Sequence, residues 1–326
     1  KMALCNLHNR IMTDSGPSEA VNAAPRQNQK AYCQQSLHKI SSLISDKYNQ
    51  FRTTPFYFLP YCSYICAPVN SIGMFPEIYI EKMQAGFHRL AAQHLLNRYY
   101  IISDPGTCRL MASPEVVGFD SYSAMVPPTV RALDILKQND ARGLERVNIL
   151  TILRGGLNYP LEESCHHADI RVRNMDFLSC ERHIENKQIT GLDIKYEKMH
   201  AVDGATMLIG DILATGDTFA MCFSHVINFF HRNGGSIRRV IFFTIGGTRA
   251  IPLMEELGAE MKELWPEFEG ISCIFHEGMF TVYTDKGVTG INVPRIDFGW
   301  QGGIVSPEFR RYVLEHDDML FEKCII

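Results

Sequence analysis

Apolar runs of strand length alternate with helix-type patterns over the C-terminal two thirds of the chain. Residues 147–153, 206–212, 240–245 and 271–275 are strand-type segments, and residues 170–172 suggest a shorter strand. Amphipathic stretches separate them, among them 218–233 and the segment that ends at Leu264. Strands buried on both faces give nearly continuous apolar runs, and helices connect the strands of a parallel sheet. The pattern therefore predicts an α/β fold, a Rossmann-like parallel sheet flanked by helices.

The first hundred residues follow a different pattern. Residues 1–35 are polar and without periodicity, and we expect a loose arm there. Residues 34–49 show helical spacing, and the spacing from Ile78 to Leu95 predicts a long helix over 76–99. We therefore expect an N-terminal arm and helical extension over residues 1–109 and the α/β domain over 110–326.

Composition narrows the function classes. The chain of 326 residues has a net charge of −4, so it lacks the basic footprint of a sequence-independent nucleic-acid binder. No apolar run reaches the ~18 residues that a membrane span requires. The ten cysteines have no framework spacing, and the cluster 165–167 (Cys-His-His) lacks the second ligand pair of a zinc site. We expect a reducing, cytoplasmic location and no membrane or nucleic-acid partner.

The segment 207–218 carries the clearest chemical signal. A strand-type run leads to Asp211, then to the turn 215–218 (Thr-Gly-Asp-Thr), and then to a helix-type pattern. Unpaired N–H groups at a helix N-terminus form a site for a phosphate dianion, and an acid just upstream can reach sugar hydroxyls. A sugar phosphate is therefore the first hypothesis. The alternative is an ordinary strand–turn–helix connection.

Three segments resemble the type I phosphoribosyltransferase family. Residues 208–218 look like its segment for 5-phosphoribosyl pyrophosphate (PRPP), and 149–157 (Ile-Leu-Thr-Ile-Leu-Arg-Gly-Gly-Leu) look like its pyrophosphate loop. Residues 290–299 are similar to the late base-binding loop of the uracil branch of the family. The residue sequence of the pyrophosphate loop also resembles that branch most. The resemblance covers roughly residues 110–305. It implies phosphoribosyl transfer to a nucleobase, uracil or a related pyrimidine being favoured. It further implies pyrophosphate release, Mg²⁺ bound mainly through PRPP without direct protein ligands, and a homo-oligomer, expected to be a dimer.

The resemblance also implies roles for individual residues. Asp211 would bind the ribose hydroxyls, and Arg154 would hold pyrophosphate because its fork matches phosphate oxygens. The expected PRPP-binding set is Gly155, Gly156, Asp211, Ala214, Thr215, Gly216, Asp217, Thr218, Arg171 and Arg173. Tyr196 and Lys198 lie where the family has its catalytic flexible loop. The base would contact Asp297, Phe298, Gly299 and Trp300. For Arg154, Arg171 and Arg173 the alternative is a solvated position at a strand, and for Trp300 it is core packing.

Two positions in the PRPP segment depart from the family pattern. Many members carry two adjacent acids where this chain has Gly210 and Asp211, and Asp217 replaces a usual glycine. A carboxylate inside the cradle would repel the phosphate, so we expect the Asp217 side chain to point to solvent. A non-catalytic PRPP-sensing protein is the second hypothesis. A nicotinamide-dependent oxidoreductase is disfavoured, because no Gly-x-Gly-x-x-Gly follows the first strand.

Overall fold

The computed structural model describes residues 78–113, 115–153, 155–185, 188–283, 295–297 and 303–316. They belong to one compact unit, which begins at Gly73. The helix expected over 34–49 lies outside the described residues.

An eleven-stranded sheet forms the centre of this unit. Its strands are β1 (Tyr79–Gln84), β2 (Phe87–Ala91), β3 (Arg98–Ile102), β4 (Arg146–Leu153), β5 (Arg171–Glu185), β6 (Gln188–Lys198), β7 (Ala205–Leu213), β8 (Ile237–Gly247), β9 (Ile271–Tyr283), β10 (Arg295–Asp297) and β11 (Ile304–Val305). The order is β1-β2-β3-β9-β8-β7-β4-β5-β6, and the short strands β10 and β11 both pair with β9. All pairings from β3 through to β5 are parallel, whereas β1–β2, β2–β3 and β5–β6 are antiparallel.

Helices cover both faces of the sheet. They are α1 (Pro105–Ala112), α2 (Phe119–Asn139), α3 (Leu161–His167), α4 (Asp217–Arg232), α5 (Ala250–Leu264) and α6 (Pro307–Glu315). Side chains alternate across the pleat, so Leu208 packs in the cluster with α1, α2, α3 and α6, and its neighbour Ile209 packs in the cluster with α4 and α5. This arrangement confirms the predicted α/β fold with a parallel sheet between helices. The structure also confirms the predicted strands at 147–153, 206–212 and 240–245 to within a few residues.

The helix predicted over 76–99 is wrong. The chain instead forms the antiparallel hairpin β1–β2, with Gly86 at φ +67° in its turn, and β3 then pairs with β9. Ile80 and Met83, expected on a buried helix stripe, are exposed, whereas Phe87 and Leu90 are buried in the sheet. β1 and β2 pair with each other and β2 pairs with β3, so strand pairing overrode the helical periodicity; of these three strands, only β3 pairs with a strand more than 170 residues away. These strands precede the boundary expected at residues 109 and 110, so the sheet extends across that position.

None of the helices in the part of the chain that the structure describes is long and apolar enough to cross a bilayer.

Candidate functional site

The two glycine-containing motifs meet at one edge of the sheet. β4 and β7 are parallel neighbours, with Leu150 opposite Ile209, so both carboxyl ends point the same way. A Cβ atom on Gly155 would lie 3.5 Å from Cγ of Asp211 and closer still to Oδ1. A Cβ on Gly156 would lie 3.2 Å from the carbonyl oxygen of Gly210. The turn after β4 therefore packs directly on the end of β7, and a side chain at position 155 or 156 would force a neighbouring atom to shift.

The turn after β7 ends in the N-terminus of helix α4. Gly216 is the N-cap residue at φ +84°, and no side chain caps the first turn. The first N–H groups of this 16-residue helix therefore have no intrahelical partner, and the helix dipole adds partial positive charge there. Thr215 and Thr218 are half-buried beside them, and Asp217 is exposed, as its predicted orientation requires. These groups form an N-terminal cradle suited to a phosphate dianion.

Asp211 lies near the carboxyl end of β7, before the phosphate-cradle turn and beside Gly155 of the turn after β4. Its Oδ1 accepts a hydrogen bond of 2.8 Å from the N–H of Ile212, and it forms no salt bridge with any described residue. Burial raises the pKa of Asp211 to about 7, and the Ile212 bond only partly offsets that effect. The carboxyl group keeps free acceptor capacity for hydroxyl donors such as those of a sugar.

Tyr159 was not identified from the sequence, yet it organises the floor of the site. Its hydroxyl donates to the carbonyl oxygen of Asp211 at 2.9 Å and accepts from the N–H of Ile245 at 2.9 Å. Its ring fills the space above Gly210, where a Cβ atom would lie 2.5 Å from Cβ and 2.8 Å from Cδ1 of Tyr159. An acid at position 210 would collide with this ring. Position 210 therefore has no room for a side chain while Tyr159 keeps this position. The one available sequence signal was a tyrosine shortly after two glycines.

The strand register places Arg171 and Arg173 far from the turn after β4. Arg171 pairs with Arg146, the first residue of β4, so both arginines lie at the amino-end edge of the parallel strands. At ~3.3 Å per residue, the seven residues from Arg146 to Leu153 put them roughly 20 Å from the turn after β4. Both side chains are exposed. Solvated strand-edge positions explain them better than a pyrophosphate contact.

The remaining predicted residues divide into two groups. Tyr196 pairs with Ser179, which pairs with Leu153, so Tyr196 lies on the correct edge but in strand β6 rather than in a loop. Its side chain is 51% exposed, that of Lys198 is also exposed, and their catalytic role stays a prediction. Asp297 lies in β10 opposite Thr281 of β9. Arg154, Phe298, Gly299 and Trp300 lie outside the described residues.

A buried glutamate that accepts hydrogen bonds from four donors lies in β9 just past the carboxyl end of β3, at the end of the sheet that carries the candidate site. Glu277, fully buried and at φ +64°, accepts hydrogen bonds from the N–H of Asp104 and from three hydroxyls, those of Ser103, Thr107 and Ser306. Burial raises the pKa of Glu277 to about 7, although these bonds lower it. The network ties β3, α1 and α6 to β9.

No group of three metal-ligating side chains occurs within the described ranges. The cluster 165–167 forms the end of α3, with Cys165 buried in the core.

Comparison with known proteins gives structural likenesses only. No protein-family model and no curated protein matches the chain. A solved structure of the AQ2163 protein from Aquifex aeolicus is 14% identical, with a TM-score of 0.39 over 59% of this chain and 93% of that one. A hypoxanthine phosphoribosyltransferase from Staphylococcus aureus is 13% identical, with a TM-score of 0.31 over 57% and 89%. A purine phosphoribosyltransferase from Pyrococcus horikoshii is 18% identical, with a TM-score of 0.26 over 37% and 71%. All of these identities and TM-scores are low.

Proposed function

We propose that the protein transfers the 5-phosphoribosyl group of PRPP to a nucleobase and releases pyrophosphate. The observation that carries this proposal is the contact of Gly155 with the Asp211 carboxyl group beside the uncapped N-terminus of α4. One short edge thereby offers a turn for pyrophosphate, an acid for ribose hydroxyls and a cradle for the 5′-phosphate.

Each part matches a need of the reaction. Breaking the bond between sugar C1 and pyrophosphate develops negative charge on the leaving group and oxocarbenium character on the ribose. The cradle and Asp211 would hold the ribose 5-phosphate in place, and Arg154 would bind the departing pyrophosphate. Tyr159 keeps the ends of β7 and β8 in register and so positions Asp211.

Mg²⁺ fits this site as an ion that arrives with the substrate. Mg²⁺ usually keeps several waters and binds largely through substrate phosphates, so PRPP would hold the ion while Asp211 stays available to the ribose hydroxyls. When bound, the ion would neutralise charge on the pyrophosphate.

The acceptor base that we favour is uracil or a related pyrimidine. The support is the resemblance of residues 290–299 to the late loop of the uracil branch. Asp297, Phe298, Gly299 and Trp300 would contact the base. Stacking of a base on an aromatic side chain contributes ~1–3 kcal/mol in other proteins.

The test is pyrophosphate release from PRPP and Mg²⁺ with a panel of uracil, cytosine, hypoxanthine, guanine and adenine. We expect pyrophosphate release with a pyrimidine. In Arg154→Gln, kcat/KM should fall at least about tenfold, because the variant lacks one charge-assisted contact. Arg171→Gln is the matched control, since it removes the same charge at the opposite edge. If no base supports release while PRPP still binds, the catalytic proposal is wrong.

Gly210 favours the second candidate, a PRPP-sensing protein without catalysis. Because the Tyr159 ring occupies the space of a first acid, the site holds one carboxyl group where many relatives have two. Binding of PRPP without pyrophosphate release, over the whole base panel, would support this candidate.

A further inference from the structure

Two thiols face each other beside the candidate site. The Sγ atoms of Cys180 on β5 and Cys222 on α4 are 3.0 Å apart. Cys222 is completely buried, Cys180 is half-buried, and neither forms a disulfide. An oxidant therefore reaches the pair through Cys180.

The pair lies at the edge that carries the phosphate cradle. Ser179 is opposite Leu153, the last residue of β4, and Cys180 follows it directly. Cys222 is five residues beyond Asp217, the first residue of α4. The charge of Asp211 acts on both thiols, so all three groups share one electrostatic neighbourhood.

The two thiols differ in reactivity. The hydrogen bond from Cys222 lowers the pKa of Cys180 against the effect of burial, and the guanidinium of Arg182 lowers it further. The same interaction and burial raise the pKa of Cys222. Cys180 is thus the thiol of the pair that ionises more readily and is open to solvent, and the thiolate is the nucleophile in oxidation.

We propose that Cys180 and Cys222 form a reversible disulfide, a modification site that links α4 to the β5–β6 hairpin. With a hydroperoxide as oxidant, the Cys180 thiolate attacks one peroxide oxygen and the O–O bond breaks, giving a Cys180 sulfenic acid and, from hydrogen peroxide, a hydroxide that takes up the proton released by the Cys180 thiol to give one water. The Cys222 sulfur then displaces the sulfenic oxygen, its proton leaves with that oxygen as a second water, and the S–S bond forms. Two thiols lose two electrons and two protons, and one peroxide gains them.

The bond requires little movement. A disulfide has its sulfurs ~2.05 Å apart, so the two Sγ atoms close by only about 1 Å. That movement pulls on the second turn of α4, whose first turn forms the cradle, and on β5, whose partner β6 carries Tyr196. The effect on PRPP rests on the proposed function, whereas the disulfide itself does not.

Peptide mapping of the full chain tests the bond. The reduced protein is treated with stoichiometric hydrogen peroxide, alkylated and digested without reductant, in parallel with Cys180→Ala, Cys222→Ala and the control Cys165→Ala, whose thiol is buried elsewhere. We expect a Cys180–Cys222 linked peptide, two hydrogens lighter than its parts, in the unmodified chain and in Cys165→Ala, and its loss on adding dithiothreitol. In Cys222→Ala, dimedone should label Cys180. Absence of the linked peptide, or peroxide-driven pairing of Cys180 with another cysteine, overturns the assignment.

PRPP affinity of the oxidised and reduced forms tests the consequence. We expect a difference of about fivefold or more in the unmodified chain and in Cys165→Ala, and none in Cys222→Ala. Equal affinity of the two forms refutes the coupling between the disulfide and the cradle. If the reduced protein binds no PRPP at all, the proposed function fails while the peptide map still decides the disulfide.

Discussion

Gly210 and Tyr159 form a steric pair, which predicts how a single methyl group will perturb the site. Gly210→Ala places a Cβ atom 2.5 to 2.8 Å from atoms of the Tyr159 side chain, so the ring has to move. Overpacking of a filled core costs ~1–3 kcal/mol. Moving the ring also breaks the hydroxyl bonds to Asp211 and Ile245, and a buried unpaired N–H costs a further ~1–3 kcal/mol. We expect the free energy of unfolding to fall by roughly 2–6 kcal/mol, which is a large part of a typical folding free energy.

Urea unfolding of a double-mutant set measures this cost. The free energy of unfolding is compared for the unmodified chain, Gly210→Ala, Tyr159→Ala and the combined variant. With the ring removed, Gly210→Ala should cost at least about 1 kcal/mol less than it does alone. Gly191→Ala is the control, since its Cβ meets only ordinary contacts with His183, the nearest at 3.5 Å.

The reasoning is refuted if Gly210→Ala has the same cost in both backgrounds, or if it is as harmless as Gly191→Ala. In either case the Tyr159 ring would not be what excludes a side chain at position 210. Tyr159→Phe separates the two contributions, because it keeps the ring and removes only the hydroxyl bonds to Asp211 and Ile245.

Four further predictions concern the same edge of the sheet. Asp211→Asn should weaken PRPP binding ~10-fold or more at pH 8, measured by calorimetry, and much less at pH 6, where the unmodified carboxyl is largely protonated. Because the pKa of Asp211 rises from 3.8 to about 7 on folding, the unmodified chain should lose stability as pH rises from 4 to 7, and urea unfolding of Asp211→Asn should show a smaller loss. Gly216→Ala should lower the free energy of unfolding in urea by ~1–2 kcal/mol and weaken PRPP binding. Position 216 has φ +84°, and an added Cβ would lie 2.8 Å from Cδ2 of Leu253. Unchanged PRPP affinity would contradict the cradle. Glu277→Ala should lower the free energy of unfolding by at least about 3 kcal/mol, because four donors lose their acceptor; a loss under 1 kcal/mol would show that water replaces the carboxyl group.

The elements with strong local patterns could be predicted from the sequence. β4, β7 and α4 are close to their predicted bounds because each buries a continuous run or a regular stripe of its own residues. The hairpin β1–β2 could not be predicted in this way. The spacing of its apolar residues fits a helix equally well, and pairing with neighbouring strands at the β1 side of the sheet decided the conformation.

Asp211, Gly216 and the turn after β4 could be identified from the sequence as parts of one site, because the chemistry of each motif lies within a few consecutive residues. Only the tertiary structure decided which other residues share that site. The strand register places Arg171 at the amino ends of the parallel strands, opposite the candidate site. Tertiary packing brings Cys180 close to Cys222, and the Tyr159 ring packs against Gly210, where no side chain fits. The physical reason is that register and packing depend on partners far away in the chain, whereas a turn and its hydrogen-bond donors depend on neighbours.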